Sequence, residues 1–552
     1  MDRGHAALSR RTAILLAAAP VCFLAVFFIW PMTAILVTAL TGDGGSAALA
    51  QSDVLATWSA PGTARIAWFT LWQAGLSTVL TVVVALPGAY VLATYDFPGK
   101  RLLRAGLTVP FVLPTVVVAA AFLALIGPRG PLSALGLDGT IWAILAAHVF
   151  YEYAIVVRLV GSVWSHLDPR TVEAARMLGA TPWRSFRYIT WPLLRPAVIS
   201  AASLVFLFTF TSFGVILLLG GSGTTTLEVA IYRATARSLD LPAGAALALL
   251  QMAVIGVVLV VETRLGERLA IAQRLRSAGD TSRRPVGRRA KLFMTAVIGS
   301  MMLYLGTPLA VLVERSLRSP EGSLLSSYRA LLEAGGRGGL FVAPAEAVIN
   351  SVAFAALTVA LAVTFGLLIA AVAAYRGGRL GGGLDTLAML PLGTSAVLLG
   401  FGFIVALDEP PLDLRTSPLL IPLAHTLVAT PFVVRAAVPL IRSIEPRLRE
   451  AAAVLGASPG RVFREIDGPV VARAALVGAG FAFAVSLGEF GATLFIARPE
   501  TPTVPVAIYR LLGQPGALPF GQAMAMSTIL MCLTAGAVLL IERWRSESAS
   551  AF

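Results

Sequence analysis

The sequence predicts an all-α polytopic membrane protein of about 12 transmembrane helices, arranged as two parallel six-helix repeats. Three observations predict it. Of 552 residues, 57% are hydrophobic and 13% charged, whereas a soluble globular domain carries roughly 25% charged residues. Twelve apolar runs reach the ~20 residues that a helix needs to cross a hydrocarbon core of about 30 Å. Two polar stretches repeat each other at a spacing close to half the chain, which marks a tandem duplication.

The runs are 13–40, 66–93, 105–126, 139–160, 196–219 and 244–263 in the first half, then 292–314, 346–374, 385–407, 418–440, 474–496 and 521–541 in the second. The first follows Ser9-Arg10-Arg11-Thr12. It is longer than the roughly 7–15-residue apolar region of a signal peptide and reads as a retained spanning helix. Basic residues place the loops. Arg3, Arg10 and Arg11 precede the first run, and Lys100, Arg101 and Arg104 follow the second. The segment 264–291 adds Arg264, Arg268, Arg274, Arg276, Arg283, Arg284, Arg288, Arg289 and Lys291. These fall on one side, which the positive-inside rule makes cytoplasmic. Loops 41–64, 220–243 and 497–520 are poorer in positive charge; loop 315–345, with Arg315, Arg318, Arg329 and Arg337, is an exception. Both termini are therefore expected in the cytoplasm. Six spans per half make the repeats parallel, unlike inverted-repeat carriers. The net charge of +14 comes largely from arginines at the ends of apolar runs, so it does not point to nucleic acid. Cys22 and Cys532 both sit in apolar runs, and neither a disulfide framework nor a metal-ligand spacing is present.

The duplicated stretches are 168–187 and 445–464, with Glu173 and Glu450 standing 277 residues apart. The same offset pairs His148 with His425, Arg158 with Arg435, Pro192 with Pro469, Phe213-Gly214 with Phe490-Gly491 and Ala230-Ile231-Tyr232-Arg233 with Ala507-Ile508-Tyr509-Arg510. Asp168-Pro169 and Glu445-Pro446 read as helix starts, and Gly179 and Gly456 supply the left-handed residue that ends the helix. Thr181-Pro182 and Ser458-Pro459 repeat the start signal. Each loop should be two short helices joined at a glycine and ending before Pro192 or Pro469. Ala174-Ala175 and Ala451-Ala452 are small enough for another surface to approach closely. A single copy reads equally well as a connecting loop; two copies at one register point to a docking element.

These residues resemble the permease subunits of binding-protein-dependent ABC importers. Glu-Ala-Ala, a glycine six positions after the Glu, an Ile ten further on and a Pro three beyond that form the family's cytoplasmic signature. Here they are Glu173, Ala174, Ala175, Gly179, Ile189 and Pro192, then Glu450, Ala451, Ala452, Gly456, Ile466 and Pro469. The family usually has Leu before that Pro, where this chain has Trp191 and Gly468. The resemblance covers about 66–263 and 346–541 and implies the type I ABC importer permease fold. It divides the chain into a first permease half, 1–263, with coupling loop 165–192; a basic cytoplasmic linker, 264–291; and a second half, 292–552, with coupling loop 442–469. It also implies that Glu173, Ala174, Ala175, Gly179, Glu450, Ala451, Ala452 and Gly456 dock on ATPase subunits.

A phosphate loop is not encoded: the Gly99-Lys100 pair has Thr94 where the upstream glycine belongs and Arg101 after it. ATP is thus expected on a separate subunit, with no cofactor on this chain. The resemblance implies two ATPase subunits, one extracytoplasmic solute-binding protein and a multi-pass location in the plasma (inner) membrane of a prokaryote. Fused two-half permeases are similar to the ferric-iron and thiamine importers. The segments Leu219-Gly220-Gly221-Ser222-Gly223-Thr224-Thr225-Thr226-Leu227-Glu228 and Ser486-Leu487-Gly488-Glu489-Phe490-Gly491 resemble thiamine permeases more than iron ones. Thiamine or its phosphates is the expected cargo, with ferric iron as the alternative.

Glu152 lies in the fourth run and Glu489 in the eleventh, and their partners at offset 277 are Ala429 and Ser212. Carboxylates in hydrocarbon face protein or a watery cavity. Each is a candidate for the translocation pathway, where it would attract a cationic substrate, while a packing or gating contact to Arg158, Arg435 or a backbone group is the favoured reading. His148 and His425 occur symmetrically, which favours packing or loop anchoring over a metal or proton role. Gly-rich stretches 335–339 and 377–383 read as flexible loops. An ion-coupled secondary transporter is the remote alternative. No cluster with catalytic spacing suggests an enzyme.

Overall fold

The computed structural model describes residues 9–41, 53–269, 284–318, 325–333, 342–376, 378–408 and 412–549. Arg3, the linker residues 270–283, the stretch 335–339 and Gly377 lie outside the described residues, while 378–383, expected as loop, begin a helix instead.

The first half contributes α1 (Arg10–Thr41), α2 (Asp53–Ser59), α3 (Pro61–Thr94), α4 (Lys100–Val112), α5 (Thr115–Ile126), α6 (Ile141–His166), α7 (Pro169–Met177), α8 (Pro182–Phe210), α9 (Gly214–Leu219), α10 (Leu227–Tyr232) and α11 (Leu241–Leu269). The second contributes α12 (Arg288–Leu317), α13 (Ser326–Arg329), α14 (Pro344–Tyr375), α15 (Gly378–Gly393), α16 (Ala396–Ala406), α17 (Leu420–Arg442), α18 (Pro446–Val454), α19 (Pro459–Gly488), α20 (Gly491–Ile496), α21 (Val504–Leu512) and α22 (Ala517–Ala549). The order of elements is the same twice. Among the described residues, ten helices are long and apolar enough to cross a membrane by themselves. Two bent pairs, α4 with α5 at 99° and α15 with α16 at 97°, bring the number to twelve when each pair is counted as one span.

Those bends depart from the straight runs 105–126 and 385–407 that hydropathy suggests. The first falls at Leu113-Pro114, where Leu113 is extended with ψ 139, the conformation that a following proline favours over the helical one. The second falls at Thr394, also extended, after which the Ser395 side chain accepts from Val397 N at 3.1 Å and restarts the helix. Runs 196–219 and 474–496 are broken as well: α8 stops at Phe210 and α19 at Gly488, and a short helix resumes three or four residues on.

Contacts divide the chain into two compact units that do not follow chain order. Unit one holds Met1–Val54, Ile231–Ala248 and Ser319–Phe552; unit two holds Leu55–Ala230 and Leu249–Arg318. The first helix of each half is thus exchanged. In unit one, Phe23 of α1 stacks on Phe365 of α14 with centroids 4.8 Å apart, and Ala13 joins a core with Ile369, Val372, Val434 and Ala474. In unit two, α12 packs on α5 and α3, and the Tyr304 hydroxyl donates to the Ala146 carbonyl at 2.6 Å. With lipid on the outside, close backbone approach replaces the hydrophobic effect as the glue. A Cβ on Gly366 would come within 2.6 Å of Val433 and one on Gly478 within 2.8 Å, so these glycines let α14 and α19 seat against α17. The repeat extends to single bonds: Leu227 N donates to Thr70 Oγ1 in unit two, and Val504 N donates to Ser351 Oγ in unit one.

Candidate functional site: two coupling loops and two broken spans

The duplicated motifs fold nearly as their spacing predicts. Asp168 Oδ1 accepts from Arg170 N at 3.1 Å and starts α7; Thr181 Oγ1 accepts from Arg184 N at 3.3 Å and starts α8. In the second copy α18 and α19 begin at Pro446 and Pro459 without a side-chain cap. Both α7 and α18 end alike. Gly179 has φ +84 and Gly456 φ +81. Ala180 N reaches back to Ala175 O and Gly179 N to Arg176 O, each at 3.0 Å, and the bonds Ala457 N to Ala452 O and Gly456 N to Ala453 O match them. That pair of bonds is the glycine-terminated cap that satisfies the last carbonyls of a helix.

The expected stop before Pro192 and Pro469 does not occur. α8 and α19 run on into the membrane through wide turns at Phe186–Thr190 and Phe463–Asp467. A π-helical turn changes the hydrogen-bond register, so the N–H that proline lacks is not missed. Each duplicated loop is therefore continuous with a spanning helix.

Glu173, Ala174, Ala175 and Gly179 sit together in the first loop, and Glu450, Ala451, Ala452 and Gly456 in the second. The structure adds residues that the motif did not single out. Met177 and Leu178 are 84% and 90% exposed, and Val454 and Leu455 87% and 86%. Large apolar side chains this exposed, at the same place in both loops, mark an interaction surface. Their signal in the sequence was an apolar pair directly before each capping glycine.

Inside the membrane the two histidines stand at the broken spans. His148 on α6 hydrogen-bonds Ser77 of α3 through Nδ1 at 3.0 Å and Ser212, in the break after α8, through Nε2 at 2.9 Å. His425 on α17 hydrogen-bonds Ser486 through Nδ1 and Thr493 through Nε2, both at 2.8 Å, and Ser486 donates on to Thr358 of α14. Each imidazole thus ties a break to neighbouring helices. Glu489 completes the second node. One carboxylate oxygen accepts from Ala492 N at 2.8 Å, the other from Thr493 N at 2.9 Å and from the Thr493 hydroxyl, with His425 Nε2 at 3.4 Å. It caps α20 from the position that Ser212 occupies in the first half. Glu152, 1% exposed on α6, has one oxygen without a hydrogen-bond partner among the described residues.

Outside the spans, the duplicated tyrosines Tyr232 and Tyr509 meet within unit one and both hydrogen-bond Arg237. Burial pushes the Tyr232 hydroxyl up, and Tyr509 adds to the shift; the hydrogen bond to Tyr509 raises Arg237. Among the described residues, no group of three or more His, Cys, Asp or Glu could hold a metal ion.

Two segments, 85–270 and 362–544, match the family described as "Binding-protein-dependent transport system inner membrane component". The chain is similar to the "Thiamine transport system permease protein ThiP" of Brucella abortus (strain 2308), 29% identical over 529 residues, 93% of this chain and 92% of the relative. The protein of the same name in Escherichia coli (strain K12) is 26% identical over 498 residues, 87% of this chain and 89% of the relative. A chain of the bacterial alginate ABC transporter, solved in complex with an alginate pentasaccharide-bound periplasmic protein, aligns with a TM-score of 0.40 at 18% identity, covering 47% of this chain and 96% of that one. Each matched segment contains one copy of the duplicated loop, one of the two histidines, one bent helix pair and one span broken after Phe210 or Gly488, so the chain carries the family twice and belongs to the binding-protein-dependent transport system inner membrane components.

Proposed function

We propose that this chain is the whole membrane component of an ABC importer that moves thiamine or its phosphates from an extracytoplasmic binding protein to the cytoplasm. Two separate ATPase subunits bind ATP, one beneath each docking loop, and this chain holds no cofactor. Both termini and the linker 264–291 face the cytoplasm.

The observation that carries the coupling role is the pair of glycine-capped helices, α7 and α18, with the apolar tips Met177-Leu178 and Val454-Leu455. Because α8 and α19 continue unbroken from those loops into the membrane, closure of the ATPases displaces the two spans directly. The breaks after Phe210 and Gly488 let the outer ends of those spans lag behind, so the pathway opens alternately to the two sides. Residues 1–263 and 292–552 are the two permease halves, which exchange their first helices; Glu152 stands on α6 and Glu489 in the break that follows α19. The thiamine assignment rests on the named relatives, aligned over both halves of this chain.

The test is ATP-dependent uptake of labelled thiamine into vesicles holding this chain with its ATPase and binding protein, beside a Gly179→Asp, Gly456→Asp double variant. Uptake by the wild type and its loss in the variant are expected. ATP hydrolysis stimulated by the binding protein without thiamine uptake would overturn the cargo and turn attention to ferric iron.

A further inference from the structure

Beneath the first docking loop lies a cavity of about 540 Å³, a size suited to a small molecule. Tyr90 of α3, Trp164 near the end of α6 and Phe186 of α8 give it aromatic walls. The Tyr90 and Trp164 centroids are 5.2 Å apart and those of Trp164 and Phe186 6.4 Å. Asp168 and Glu173 bring carboxylates to the same space, and Arg176 lines it too. Ser185 also faces the cavity; it is 2% exposed and its Oγ has no hydrogen-bond partner among the described residues. A buried hydroxyl left so calls for an explanation, and a ligand's polar group is one.

The second loop is built differently at the same positions. Val172 and Thr190, both in the cavity wall, correspond at offset 277 to Arg449 and Asp467. Those two form an ion pair at 2.8 Å, with the guanidinium 5.1 Å from the Tyr375 ring centroid. Trp164 and Ser185 correspond to Ile441 and Val462. Both loops carry the exposed tip, and Phe186 has its counterpart in Phe463, while the Trp164 ring and the unpartnered Ser185 hydroxyl belong to the first alone.

Aromatic faces attract a flat cation through the ring quadrupole, and the carboxylates supply the complementary charge. We propose that this cavity binds a planar organic cation of the thiazolium class from the cytoplasmic side, and that the occupied cavity slows transport. The inference rests on the thiamine reading above. A ligand held between Trp164, Glu173 and Phe186 bridges α6, α7 and α8, so it braces the element that must move with the ATPase. Arg176 gives an anionic tail on the cation a partner, so a phosphorylated form fits as well. Cargo accumulating inside thereby restrains its own import.

The experiment uses the assembled transporter in vesicles enclosing the binding protein and labelled thiamine, with ATP outside. Only molecules with their cytoplasmic face outward then work, and thiamine added outside reaches that face alone. Added thiamine should slow efflux of the label. In Trp164→Ile the concentration needed should rise by about tenfold, the loss expected from one ring–cation contact. Efflux that is indifferent to added thiamine overturns the inference and leaves the thiamine reading standing. Equal inhibition in Trp164→Ile overturns it too, because the effect then arises in the pathway. Absence of any labelled transport overturns the thiamine reading, and the inference with it. Co-purification with the ATPase shows that the variant is folded; if it is not, Ser185→Val takes its place with the same outcomes.

Discussion

Glu489 shows how a single side chain can be costly and still belong in a membrane span. A carboxylate in hydrocarbon must meet donors, and this one accepts from Ala492 N, Thr493 N and the Thr493 hydroxyl, beside His425. With both oxygens engaged at the start of α20, its role is to hold the break after α19 in one shape. Glu489→Gln has an NH₂ where one acceptor oxygen stood, so a backbone N–H of α20 loses its partner at a cost of about 1–3 kcal/mol. Thermal unfolding in detergent should show that loss, with uptake retained. An unchanged midpoint with uptake abolished would instead put the carboxylate in the pathway. Sequence could place Glu489 in a span and note that Ser212 replaces it in the first half. It could not tell a cap from a pathway carboxylate, because both are isolated acids among apolar residues.

At the scale of elements, the docking loops are the most legible part of the chain. Pro at the first helical position and Gly past the last fixed α7 and α18 within a residue, since those signals act locally. What local signals hid is that α8 and α19 pass through Pro192 and Pro469 by widening a turn. The exposed tips follow from this continuity: a lever fixed at one end to a span presents its far end to a partner. Replacing Leu178 or Leu455 by Asp removes one apolar anchor, about 2 kcal/mol or roughly 30-fold in ATPase association. Co-purification of the ATPase should drop for each single variant and vanish for the double, while the chain still inserts in the membrane. Retained association of the double variant would place the contact elsewhere on the loops.

At the scale of the whole molecule, the exchange of first helices matters. α1 packs in the unit that holds the second half, and α12 in the unit that holds the first. Deleting residues 10–41 uncovers Phe365, Ile369 and Phe403, which α1 covers. The deletion should therefore weaken the second half: proteolytic fragments of 342–549 should appear, while 55–230 stays protected. Cleavage confined to the first half would contradict the exchange. The topology has its own check. A tag at either terminus should be reached by antibody only after the membrane is permeabilised, and labelling of intact cells from outside would reverse the orientation.

The sequence by itself determined the class of the protein, the number of apolar runs, the duplication and the position of the glycine that ends each loop's first helix. Composition, run length and turn chemistry depend on residues within about one helix length of each other. Only the tertiary structure decided where Glu489 and the histidines find partners, which spans bend, which unit each first helix joins, and that a cavity opens beneath one loop where an ion pair fills the same positions of the other. The histidine partners, the exchanged first helices and the filled positions of the second loop are contacts between residues far apart in the chain, such as His148 with Ser77 and Ser212, or Arg449 with Tyr375. Hydropathy has no term for such contacts, because a membrane helix pays the same to leave water whichever neighbour it meets afterwards.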